Sequence, residues 1–121
     1  MKLANLFKDK MKRQDNCHNG VGHINFFRPF DSKTNCKKID FIDLVTIPPG
    51  STIGNHFHGD NEEWYIILQG KGLMRINSKD IEVKAGDIII NEHFGEHGLV
   101  NNSNDGIFLL VFQMNNHLDK Q

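Results

Sequence analysis

The sequence predicts an all-β domain, a sandwich or a barrel. Seven or more short runs rich in β-branched and aromatic residues follow one another at close spacing between His23 and Gln113. Turn signals separate them, among them Pro48-Pro49-Gly50, Gly70-Lys71-Gly72 and Ala85-Gly86-Asp87. No linker divides the runs into two sets, and 121 residues is one domain's worth.

The elements read in order as follows. Leu3, Leu6, Phe7 and Met11 recur at helical spacing, so residues 2–13 are expected to form a short basic amphipathic helix. Asn16 to Gly22 is a turn-rich break. His23 to Arg28 is extended, and Pro29 is expected to end it. Lys38 to Ile47 alternates, with Ile39, Phe41 and Val45 on one parity. Trp64 to Leu68 is aromatic and β-branched. Leu73 to Ile76 and Ile81 to Lys84 flank Asn77-Ser78-Lys79-Asp80, which reads as a hairpin loop. Ile88 to Ile90 is a short strand. His97 to Asn101 and Ile107 to Gln113 flank the turn Asn102 to Gly106. Met114 to Gln121 is a polar tail.

Composition excludes several classes. Lys plus Arg number 14 and Asp plus Glu 15, a net charge of −1. A nearly neutral chain lacks the basic field that general nucleic-acid or membrane-surface binding needs. Two cysteines, Cys17 and Cys36, cannot make a secreted disulfide framework. The longest apolar runs are only a few residues, too short for a transmembrane helix, and the basic N-terminus lacks a signal peptide's apolar core. A cytoplasmic protein is expected.

The unusual count is seven histidines. His56-Phe57-His58 is an H-x-H pair, and in an extended strand residues two apart share a face. Glu63 follows, and His97 comes much later, with Asn101 four positions on. Three imidazoles and one carboxylate suit a divalent transition metal. On an octahedral ion they leave two positions open for water or substrate. His93 to His97 also fits the H-x-x-E-H zinc-protease string, but that motif needs a helix. Here a glycine interrupts it and an Ile-rich strand precedes it, so the match is accidental.

The run Gly50-x5-His56-x-His58-x4-Glu63-x6-Gly70 resembles the first motif of the cupin family at every fixed position. Gly86, His97 and Asn101 match the spacing of the second motif. That motif departs at Glu92, where the family usually has proline, and at Phe94, where it has glycine, with Gly95 one place late. The resemblance covers residues 40–113. It implies a jelly-roll barrel of two packed antiparallel sheets, the cupin double-stranded β-helix. Residues 1–22 would be an N-terminal segment, 23–113 the barrel and 114–121 the tail. The resemblance also implies one metal ion inside the barrel, held by His56, His58, Glu63 and His97. Glu62 neighbours Glu63, but only Glu63 has the six-residue spacing to Gly70.

Around that site, Tyr65 shares the parity of Glu63 and is expected to point inward, where its hydroxyl could orient a substrate or donate a proton. Trp64 has the opposite parity and belongs to the outer face. His93 and Glu92, on the loop before His97, are candidate acid/base groups. An inward Arg28 would bind a carboxylate or phosphate, and parity leaves that open. His18 and His117 are expected at the solvent.

Cupins of this kind include dioxygenases, oxalate decarboxylases and sugar isomerases, so the fold leaves the reaction open. The resemblance implies a metalloenzyme of the isomerase or epimerase, decarboxylase or dioxygenase class. Its substrate would be a small polar metabolite, a sugar derivative or a carboxylic acid. The alternative is a non-catalytic module that binds or senses a small ligand. The ion could be iron, manganese, nickel, cobalt, copper or zinc. Cupins commonly dimerise, and a homodimer is expected.

Overall fold

The computed structural model describes residues 1–35 and 37–115. Ten strands follow one another: β1 (Lys12–Asp15), β2 (His23–Asp31), β3 (Ile39–Ile47), β4 (Thr52–Phe57), β5 (Asn61–Gln69), β6 (Lys71–Ile76), β7 (Lys79–Lys84), β8 (Ile88–Asn91), β9 (Glu96–Val100) and β10 (Ile107–Asn115). They form two sheets, a six-stranded one in the order β1-β2-β3-β10-β5-β8 and a four-stranded one in the order β4-β9-β6-β7. Every pairing is antiparallel. The all-β expectation holds, and the order is that of a jelly-roll barrel.

Period-two alternation builds the core. On β5, Glu63, Tyr65 and Ile67 are buried while Trp64 and Ile66 face outward. On β10, Ile107, Leu109 and Val111 point the same way and pack beside them. Ile53, Met74, Val83 and Leu99 close the core from the smaller sheet.

Four expectations are corrected. The helix over residues 2–13 does not form. Residues 1–11 lie outside any helix or strand and β1 begins at Lys12. Leu3 is 87% and Phe7 74% exposed, so the apolar stripe has no surface to pack on, and so short a helix is marginal alone. Pro29 does not end β2, which runs on to Asp31. The register with β3 shifts between Phe27 and Phe30, and a residue without an N–H is tolerated at such an irregularity. The hairpin loop is shorter than expected. Only Asn77 and Ser78 turn, both with positive φ (48° and 69°), as a tight two-residue hairpin requires, and β7 resumes at Lys79.

The polar tail begins later than Met114, because β10 extends to Asn115. Cys36, His117 and the rest of the tail lie outside the described residues. No helix of the described residues is long and apolar enough to cross a membrane.

Candidate metal centre

His56 and His97 face each other across the β4–β9 pairing. His56 turns inward, while its neighbour Phe57 is 76% exposed. His58 follows the end of β4 and is fixed by its backbone N–H, which donates to the Gly95 carbonyl at 2.8 Å. Glu63 reaches in from β5, on the opposite sheet. Both layers therefore supply the cluster.

Its atoms converge closely. His97 Nε2 lies 3.0 Å from His58 Nε2 and 3.1 Å from His56 Nε2. Glu63 Oε1 lies 3.3 Å from His97 Nε2 and 3.6 Å from His58 Nε2. The far nitrogens fix two tautomers. His56 Nδ1 donates to the Gly54 carbonyl at 2.7 Å, and His58 Nδ1 donates to Asn61 Oδ1 at 2.7 Å. In their neutral forms both rings therefore present Nε2 as an acceptor. His97 can offer at most one proton to two lone pairs and a carboxylate. Lone pairs held this close repel one another unless a cation sits between them.

The spacing fits a metal. With metal–ligand bonds of about 2.1 Å, adjacent octahedral ligands lie about 3.0 Å apart and tetrahedral ligands about 3.4 Å apart. His56, His58, Glu63 and His97 together could hold one ion.

Electrostatics agree with this donor set. Burial lowers His56, helped by its imidazole neighbours, to about 4. Burial also lowers His97. Burial alone would raise the Glu63 carboxyl, but His58 and His97 outweigh it and hold Glu63 at about 2. His58 is raised: burial opposes this, but the Glu63 carboxylate and Asn61 prevail.

The site opens into a cavity of about 490 Å3. Tyr65, 2% exposed, lines it as its parity predicts, with its ring 5.2 Å from that of His97. Burial and the neighbouring Glu63 raise the Tyr65 phenol well above its usual range, so it stays protonated at neutral pH. Trp64 lies on the outer face, stacked on Phe112 at 5.3 Å. Its Nε1 donates to Glu62 at 2.6 Å, which places Glu62 away from the centre. Glu92 and His93 are exposed on the β8–β9 loop and do not border the cavity. In the same loop Phe94 adopts a left-handed backbone (φ 57°), and its N–H donates to the Gly59 carbonyl at 2.9 Å. A bulky side chain is strained there, but its ring is 67% exposed and displaces nothing in the core. Asn101 lies outside the cluster. It is fully buried and ties Ile47 to Asp105 through its amide, an anchor for the turn before β10.

Sequence reasoning missed the contribution of the N-terminal segment. Its Cys17–Asn19 turn lies on β4 and brings Cys17 and His18 to the cavity. His18 is exposed, as expected, yet its ring stacks on that of His56. Glycine makes the approach possible: a Cβ on Gly54 would lie 2.0 Å from the His18 carbonyl oxygen. No spacing rule links His18 to His56, so the sequence carried no signal for it. Burial, with Glu63 nearby, raises the Cys17 thiol to about 11, so it is no thiolate at neutral pH.

Comparison with known proteins agrees with this architecture. The family described as the cupin domain matches residues 43–112. An oxalate-binding protein of Thermotoga maritima is 29% identical over 100 residues, which are 83% of each chain. The crystal structure of a "predicted oxalate decarboxylase" from Thermotoga maritima superposes with a TM-score of 0.91 and 26% identity, covering 93% of this chain and 98% of that one. A cupin barrel protein of Salinispora arenicola superposes with a TM-score of 0.75 at 16% identity, covering 96% and 90%.

Proposed function

This chain belongs to the cupin family, and from that premise we propose that it holds one divalent transition metal through His56, His58, Glu63 and His97 and acts on a small carboxylic acid. The observation that carries the reading is the convergence of three imidazole nitrogens and one carboxylate oxygen within 4.8 Å of one another, four of the contacts between them being 3.0 to 3.6 Å. The names of the Thermotoga maritima relatives support a carboxylate ligand over a sugar derivative.

The bound ion supplies Lewis acidity toward a ligand oxygen. The protein supplies the rest. Gly54 and Asn61 hold His56 and His58 in the tautomers that present Nε2. Tyr65, buried and protonated, offers an O–H beside Glu63 to orient the ligand or donate a proton. The aliphatic lining of Ile24, Val45 and Val111 limits water around it. No step is assigned to Glu92 or His93.

A second reading is a binding module without turnover. The relative named as an oxalate-binding protein favours it. A homodimer belongs to either reading, because β8 is an edge strand with Ile88 60% and Ile90 44% exposed. A monomer by sedimentation at micromolar concentration would reject it.

The deciding experiment is elemental mass spectrometry of untagged protein, followed by turnover assays on oxalate and on a 2-oxo monocarboxylic acid. The expected result is about one transition metal per chain, lost in His58→Ala. No metal, and none taken up on addition, would sink the metal centre. Metal with saturable binding of either acid and no product would select the binding module.

A further inference from the structure

The cavity extends past the candidate metal centre to a wall built by β2 and β3. Arg28 and Asp43 form a two-point ion pair there, Nε to Oδ1 at 2.7 Å and Nη2 to Oδ2 at 2.9 Å. The Arg28 guanidinium lies over the Phe41 ring, 4.0 Å from its centroid, and is 5.9 Å from that of Phe26. The Asp43 side chain is 7% exposed and that of Arg28 is 42%. Both residues border the same cavity as His56, His58 and Glu63.

The distribution of charge along this cavity is uneven. Arg28 is the one Lys or Arg among the described lining residues, and Asp43 cancels it. With a divalent ion in place, Glu63 cancels one of its charges, which leaves one net positive charge at the metal end. The far wall is neutral and carries the rings of Phe26 and Phe41. Drawing Arg28 away to meet a second ligand carboxylate would strand Asp43 as a buried charge without a partner, which is strongly unfavourable. The volume of about 490 Å3 is of the size that takes a drug-sized ligand, far more than a two-carbon diacid fills.

We propose that the cavity selects a ligand with a single carboxylate, seated at the metal, and an uncharged, largely apolar second end lying against Arg28, Phe41 and Phe26. Asp43 is the residue that sets this selectivity, by neutralising Arg28. The inference rests on the metal-centre reading above.

Two probes share a 2-oxo acid head and differ in the charge of the tail: 2-oxo-4-methylpentanoate and 2-oxoglutarate. Their affinities for the metal-loaded full chain are compared by calorimetry, with metal content checked in every sample. The wild type should bind the apolar-tailed probe about tenfold tighter or more. Asp43→Asn, which uncovers Arg28, should narrow or reverse that ratio. Arg28→Gln, which leaves Asp43 unpaired, should widen it. A disturbed fold would weaken both probes together, so opposite movements of the ratio identify the charge effect. The wild-type ratio is read first and decides without either variant. Equal or tighter binding of 2-oxoglutarate by the wild type, or a ratio that neither variant moves, overturns the inference. Normal metal content with neither probe bound overturns it too, while the metal centre stands. Absence of metal uptake overturns both.

Discussion

The imidazole of His18 lies flat on that of His56, with ring centroids 3.5 Å apart and planes 10° apart. A metal-bound imidazole is electron-poor, and a neutral aromatic face against it is attractive, as in a cation–π contact, worth about 0.5–1 kcal/mol at an exposed site. His18→Ala should weaken metal binding roughly two- to fivefold, and His18→Phe should restore most of the loss. Competition titration against a chelator reads both. Equal losses in the two variants would remove stacking as the cause.

Asn61 accepts from His58 Nδ1 at 2.7 Å and so fixes which nitrogen faces the centre. Such outer partners are typically worth about 10–100-fold in metal affinity. Asn61→Ala should fall in that range with little change in thermal stability. Glu63→Gln, which replaces a candidate ligand, should exceed it. An Asn61→Ala protein that binds metal as tightly as the wild type contradicts the assignment.

Proton and metal compete for the same nitrogens. His58 is the ligand whose folded pKa lies above 6.5, so metal affinity should begin to fall above pH 6.5 as the solution is acidified. In the metal-free protein His56 carries the larger consequence for stability. Its folded pKa is about 4 against 6.5 unfolded, so the unfolded chain takes up the proton first. The stabilising contribution is full above pH 6.5 and is lost as pH falls toward about 4. The melting temperature of metal-free protein should decline across that window, and His56→Gln should flatten the decline. Parallel profiles for the two proteins would refute this account.

Gly54 is where the Cys17–Asn19 turn rests on β4, and a Cβ there would meet the His18 carbonyl oxygen at 2.0 Å and Gly20 N at 2.7 Å. Both are backbone atoms, so no flexible side chain can yield. Gly54→Ala should cost about 1–3 kcal/mol in denaturant unfolding and lift His18 off His56. Metal affinity should then fall at least as far as in His18→Ala. Unchanged stability would show that the turn does not lie where it is placed here.

The candidate ligand set was legible because strand alternation and motif spacing are local properties. The His56-x-His58 pair, Glu63 rather than Glu62, and the inward Tyr65 all follow from period two and from fixed spacings along the chain. The same locality explains the misses. A helical spacing of Leu3, Leu6, Phe7 and Met11 is a sufficient signal only when the fold offers that stripe a surface, and here Leu3 and Phe7 remain exposed. Phe94 takes a left-handed backbone at the position where the second motif has glycine, because hydrogen bonds to Gly59 and Glu92 hold the loop whatever the side chain.

The sequence by itself determined an all-β cupin chain, its strand rhythm and the identity of its four candidate ligands, since each is encoded within a few residues of chain. Tertiary structure alone decided what surrounds them. His18 meets His56 across 38 positions of chain (56 minus 18), and Arg28 meets Asp43 across 15. The first comes about when the Cys17–Asn19 turn docks on β4, the second when β2 pairs with β3. Such contacts depend on which strands pair and in what register, and that is settled by the burial of the whole core rather than by any local pattern.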